Sequence, residues 1–206
     1  MRKSSTTLAL TVAAAKGYVN VLRKLVDEGA DISAKCGEHN ETALHFAARA
    51  GKTQVVAFLL ERGANIERPD GQSRVPLHCA AWNGHEETTQ FLLDKGAAVD
   101  AQDGGGRTAL YGAAATGNLA VVQMLLKRAA DPTISGGTLQ ETPLAIARKK
   151  GHAAVVQELS KNDIQMGLGQ TGSSDGNFAQ KELAQKNIAE DGFSQNMPMD
   201  SPTQNK

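Results

Sequence analysis

Five histidines, two cysteines and a few glycine-rich stretches are where this 206-residue sequence could do chemistry. Gly167-Leu168-Gly169-Gln170-Thr171-Gly172 spells a dinucleotide-phosphate loop, but no strand precedes it and no apolar helix follows it. Gly51-Lys52-Thr53 ends like a nucleotide phosphate loop, yet Phe46 stands where that loop requires glycine. Asn40-Glu41-Thr42 has the form of a glycosylation site, which matters only in a secreted chain. Cys36, Glu38 and His39 share one connector without a second cluster to complete a zinc site of three or four protein ligands. His78 and Cys79 are adjacent on a helical stretch, so their side chains point apart and cannot act as base and nucleophile. The expectation is a protein with no catalytic centre, no metal and no cofactor.

The elements that carry these residues recur. Gly17, Gly51, Gly84, Gly117 and Gly151 follow one another at steps of 34, 33, 33 and 34 residues. The tetrapeptides Leu8-Ala9-Leu10-Thr11, Thr42-Ala43-Leu44-His45, Val75-Pro76-Leu77-His78, Thr108-Ala109-Leu110-Tyr111 and Thr142-Pro143-Leu144-Ala145 keep the same step, with leucine invariably third. After each glycine come pairs such as Val55-Val56 and Leu59-Leu60, separated by four positions and therefore on one helical stripe. Each unit reads as a helix, a glycine turn and a second helix, too small to bury its own apolar face without a stacked neighbour. The second helix closes at Gly29, Gly63 and Gly96, but Ala129 holds the fourth such place, and Asp131-Pro132 suggests an altered exit there. Polar connectors at 35–41, 69–74, 102–107 and 135–141 read as turns.

A period of 33 residues, a Thr-Pro-Leu-His-like opening, an Ala-Ala pair and a Gly-Ala-Asp-like exit resemble the ankyrin repeat family. The resemblance implies an all-α solenoid of stacked antiparallel helix pairs with hairpin-like connectors. It assigns residues 1–160 to five repeats starting near 5, 42, 75, 108 and 142. Departures are Leu8 for threonine, Thr88-Thr89 on the stacking face and Arg148 at an alanine position. Units one and five read as caps whose outer faces meet water.

In that family the concave groove is lined by connector residues and by the end of each first helix. Carried onto this sequence, the candidate partner-binding residues are Lys16, Glu38, His39, Glu41, Arg49, Gln72, Arg74, Trp82, Asn83, Arg107, Thr116, Lys149 and Lys150. Basic residues surround Trp82, the single tryptophan. Two readings of it are open: a binding anchor, since tryptophan and arginine dominate hot spots, or a side chain packed on the next unit. Four of the five histidines read as scaffold, leaving His39 exposed.

Composition narrows the partner. Twenty-two basic and 22 acidic residues cancel, and aromatics are 4% of the chain, so neither nucleic acid nor membrane is expected. No apolar run reaches 18 residues. Arg2 to Ala15 imitates a signal peptide but falls in register with the repeats, and two cysteines make no disulfide framework. The expectation is an intracellular, cytoplasmic or nuclear, monomeric adaptor holding an unidentified protein partner with an acidic surface. Residues 161–206 lose the period and read as a disordered tail, with a short helix possible near Phe178, Leu183 and Ile188. The alternative is an effector whose repeats target and whose tail carries the output or export signal.

Overall fold

The computed structural model describes residues 2–165, which form one unit. The tail reading, its short helix and the glycine-rich 167–172 stretch lie outside the described residues. Ten helices follow in order: α1 Arg2–Lys16, α2 Val19–Asp27, α3 Ala43–Arg49, α4 Thr53–Glu61, α5 Pro76–Trp82, α6 Glu86–Asp94, α7 Ala109–Thr116, α8 Leu119–Lys127, α9 Pro143–Lys150 and α10 Ala153–Gln165. They pair within units, and the first helix of each unit packs on that of the next. Among the described residues no strand forms.

The leucine of each opening tetrapeptide is buried in units one to four, and Leu22, Leu59, Leu92, Leu125 and Leu159 of the second helices are buried beneath them. Alanines at 47, 48, 80, 81, 113 and 114 are also buried, which lets successive first helices approach closely and explains a core with so few aromatics. All five turn glycines have positive φ, between 65° and 81°. In units one to four the next unit lays a side chain over that turn. His85 Nε2 meets the Arg49 carbonyl at 2.8 Å, Asn118 reaches the carbonyls of Ala81 and Trp82, and His152 Nε2 meets the Ala115 carbonyl at 3.1 Å.

Two local expectations change. The exit after α8 is not altered: Ala129 takes φ 61° and repeats the hydrogen bonds made by Gly63, with its N–H on the Leu126 carbonyl and that of Ala130 on Leu125. The required geometry outweighs the side chain's preference, at a cost of about 1 kcal/mol. The first cap also does not turn a polar face outward. Leu8, Val12, Tyr18 and Val21 are exposed there, whereas Arg148 is exposed on the last unit. Of the two threonines buried on the stacking face, Thr88 shares a 2.9 Å hydrogen bond with Thr53, while the Thr89 hydroxyl has no partner.

Candidate functional site

The connectors fold as four fingers of two kinds. The outer fingers, 36–41 and 136–141, close on a single antiparallel bridge, Cys36 with Glu41 and Gly136 with Glu141. The central fingers, 70–74 and 103–107, are one residue shorter and are built around a buried aspartate. Asp70 Oδ1 accepts from the N–H groups of Gln72 and Arg74 at 2.8 and 2.9 Å, and its Oδ2 takes Nε of Arg74 at 2.8 Å. Asp103 repeats this with Gly105 and Arg107, every contact at 2.9 Å. Burial acts to raise both carboxyl pKa values, but these hydrogen bonds and the guanidinium charge outweigh it and hold both below the usual range.

Neighbouring fingers are joined by one backbone hydrogen bond each: Gly71 N–H to the His39 carbonyl, Gly104 to Gln72 and Gly137 to Gly105. Two histidines tie the helices to the central fingers. His45 Nδ1 accepts from the Thr42 N–H, and its Nε2–H donates to the Arg74 carbonyl at 2.9 Å. His78 does the same between Val75 and the Arg107 carbonyl at 3.0 Å. Burial lowers the pKa of both imidazoles and keeps them in the neutral form this bridge uses.

The consequence is a cleft of about 290 Å3 lined by Arg49, Gln72, Arg74, His78, Cys79, Trp82, Asn83 and Arg107. Six of these are sequence candidates. Three guanidiniums face the opening with 21 to 35% of each side chain exposed, while the carboxylates that hold them are recessed: Asp70 and Asp103 fully, Glu41 to 5%. Glu41 accepts from both Arg49 and Arg74 and therefore backs the cleft rather than presenting a charge. The charges balance formally, yet the guanidiniums are partly exposed and the carboxylates that pair with them are recessed. Burial raises the pKa of the Cys79 thiol, so it lines the cleft as a neutral group.

Trp82 satisfies part of each reading. It is half-buried, with Arg107 Cζ 5.1 Å from its ring centroid and Tyr111 at 6.4 Å. Gly112 makes room for it: a Cβ there would meet the indole at 2.6 Å, which accounts for a glycine inside α7. The indole packs on the fourth unit and leaves its remaining surface in the cleft.

The other candidates lie elsewhere. Lys16 is exposed at the end of α1, and Glu38 and His39 are exposed on the first finger. Thr116 donates to the Gly112 carbonyl, Lys149 pairs with Glu141 at 2.9 Å, and Lys150 is exposed on α9. Sequence reasoning missed Asp70, Asp103 and Gly112. The repeated Asp-x-x-x-Arg of the two central connectors was the available signal. Among the described residues no group of three or more histidine, cysteine or acidic side chains is placed to hold a metal ion, and no helix is long and apolar enough to cross a membrane.

A family model described as ankyrin repeats, three copies, matches residues 2–70, 68–136 and 95–170. The chain belongs to the ankyrin repeat family. Short stretches are similar to curated proteins. Over 58 residues the chain is 43% identical to BRCA1-associated RING domain protein 1 of Caenorhabditis elegans, covering 28% of this chain and 8% of that protein. It is 38% identical over 60 residues to Palmitoyltransferase AKR1 of Lachancea kluyveri, covering 29% of this chain and 8% of that protein. A third match, to Ankyrin repeat domain-containing protein 40 of Mus musculus, is 38% identical over 58 residues, 28% of this chain and 16% of that one. The chain thus spans well under a fifth of the length of these relatives. Ankyrin repeats as a class are protein-interaction modules and are typically non-enzymatic.

Proposed function

We propose that this ankyrin domain is a non-enzymatic adaptor that holds a protein partner against its fingers, with Trp82 as anchor and Arg49, Arg74 and Arg107 selecting a carboxylate-bearing surface. The observation that carries this reading is the difference in exposure between the two signs of charge at the cleft. Three guanidiniums are held by recessed carboxylates yet keep 21 to 35% of their side chains exposed, so an incoming carboxylate meets positive charge that is already held in place. Trp82 adds a half-buried aromatic surface whose rotamer is already set by Gly112 and Arg107.

The test is affinity capture with the full chain beside Trp82→Ala and Arg49→Glu, followed by titration of peptides from the captured protein with glutamates intact or changed to glutamine. Trp82 is the only tryptophan, so its fluorescence reports occupancy directly. Each substitution is expected to weaken binding by about 2 kcal/mol while the helices remain folded, and the glutamine peptides should bind less tightly. Unchanged capture by both variants sinks the groove assignment.

A further inference from the structure

Among the described residues, unit one leaves exposed the face that every other unit buries against its predecessor. In unit two that face is Ala43, Val55 and Leu59, all fully buried. One repeat earlier the equivalents are Ala9 and Val21, both exposed, the latter at 50%, and the half-buried Leu25. Tyr18 holds the place of His85, Asn118 and His152, which cover a preceding unit's turn, and is itself 57% exposed. Leu8 at 58% and Val12 at 49% extend the patch, so four of the five exposed large hydrophobic residues among those described lie at this end. A monomeric surface rarely concentrates its apolar side chains in this way.

The helix that carries most of this patch is unusual in two respects. At 15 residues, α1 is about twice the length of the other first helices, which have seven or eight. Its exposed residues Ser5, Leu8, Ala9 and Val12 lie at i, i+3, i+4 and i+7, one continuous stripe, and no charged residue occurs between Ser5 and Ala15. The opposite end of the stack is built the other way. Ala14, Ala48, Ala81 and Ala114 are each fully buried by the following unit, whereas Arg148 occupies that place in the last unit and is exposed beside Lys149 and Lys150. A charged side chain at that position opposes further stacking, so among the described residues the last unit presents charge where the first presents an apolar face.

We propose that the open face binds a second copy of the chain, with α1 of one copy packed against α1 of the other across a two-fold axis. An uncharged apolar stripe needs no complement beyond another like it, which a two-fold contact supplies. The charged end opposes head-to-tail growth, so association closes at two. The contact continues the interface already formed between successive units. Few large side chains take part, so the dimer is expected to be weak and reversible. This dimer replaces the monomer expected from composition, and it is independent of the cleft around Trp82.

Sedimentation equilibrium of the full chain from micromolar to near-millimolar concentration is the test, run with Leu8→Glu, Val21→Lys and Trp82→Ala, each checked for helix content by circular dichroism. The proposal requires a reversible monomer–dimer equilibrium, weakened at least tenfold by Leu8→Glu and by Val21→Lys, and unchanged by Trp82→Ala. Leu8 and Val21 are already half-exposed, so neither substitution threatens folding. A chain that stays monomeric throughout overturns the proposal and leaves the face to a different protein. A dimer indifferent to both substitutions overturns it as well, as do species that grow beyond two.

Discussion

The central and outer fingers perform the same geometric task with different chemistry. Central fingers wrap four backbone and side-chain donors around a buried aspartate, and a histidine from the unit's first helix, α3 or α5, fixes the arginine's carbonyl. Outer fingers use one extra residue, a two-residue bridge and a glutamate at the base, which pairs with a basic residue eight positions on: Arg49 for Glu41 and Lys149 for Glu141. The central pair therefore lines the cleft, and of the outer pair Glu41 reaches it by pairing with Arg49 and Arg74. Hydrogen bonds around the buried aspartates are concentrated where the proposed partner would meet Arg74 and Arg107.

The most severe way to break this contrast is to remove the central aspartate. Asp70→Ala leaves the part-buried N–H groups of Gln72 and Arg74 without their acceptor and removes one of the two carboxylates that hold the Arg74 guanidinium, with an expected loss of about 2 kcal/mol in chemical denaturation. Glu141→Ala removes only a solvent-exposed pair with Lys149, whose side chain is half-exposed, and should cost no more than about 0.5 kcal/mol. Equal losses would mean that the two kinds of finger do not differ as described.

Much of this architecture was legible in the sequence. The glycine step and the four-residue spacing of Val55-Val56 and Leu59-Leu60 sufficed to place every helix pair, because each unit repeats the same burial problem. The cleft was legible only in part. Arg49, Arg74, Trp82 and Arg107 could be selected as positions the scaffold does not dictate, but not their pairing, because the partners Asp70 and Asp103 resemble ordinary turn residues until their side chains are seen to face inward. Gly112 was invisible for a related reason: its role is to leave space for a side chain 30 positions earlier in the chain. Glu41 was selected as a partner-binding residue on its connector, and its burial follows from two arginines converging on it from different units.

An intermediate effect separates the histidine ties from the aspartate clamps by pH. Burial lowers the folded-state pKa of His45 and His78 below the unfolded value of 6.5, so the unfolded chain takes up their protons first. Their contribution is complete above pH 6.5 and is lost as pH falls from there through the folded values. Asp70 and Asp103, with folded pKa values held below 3.8, act in a separate window and lose their contribution only as pH falls below about that value. Unfolding free energy measured between pH 7.5 and 5 should therefore decline for the wild type. The double variant His45→Gln, His78→Gln should start lower and decline less. An equally steep profile in that variant would remove the two ties as the cause.

The smallest effect sharpens the contrast at the entrance to a finger. Gly63 and Gly96 lead into the central fingers with φ of 86° and 85°, and Gly29 leads into the first outer finger at 89°, but Ala129 leads into the second outer finger at 61°. A methyl group in that left-handed conformation is strained, while glycine there adds freedom to the unfolded chain, so the two effects oppose each other. Because the hydrogen bonds around Ala129 already match those around Gly63, substitution needs no backbone movement, and strain relief exceeds the entropic loss. Ala129→Gly should stabilise the domain by about 0.5 to 1 kcal/mol, raising the melting temperature by about 1 to 4 °C in calorimetry. The reverse change, Gly63→Ala at the entrance to a central finger, should cost a similar amount. If Ala129→Gly lowers the melting temperature instead, the alanine is contributing something to the outer finger beyond filling the glycine's place, and the equivalence of the four exits fails.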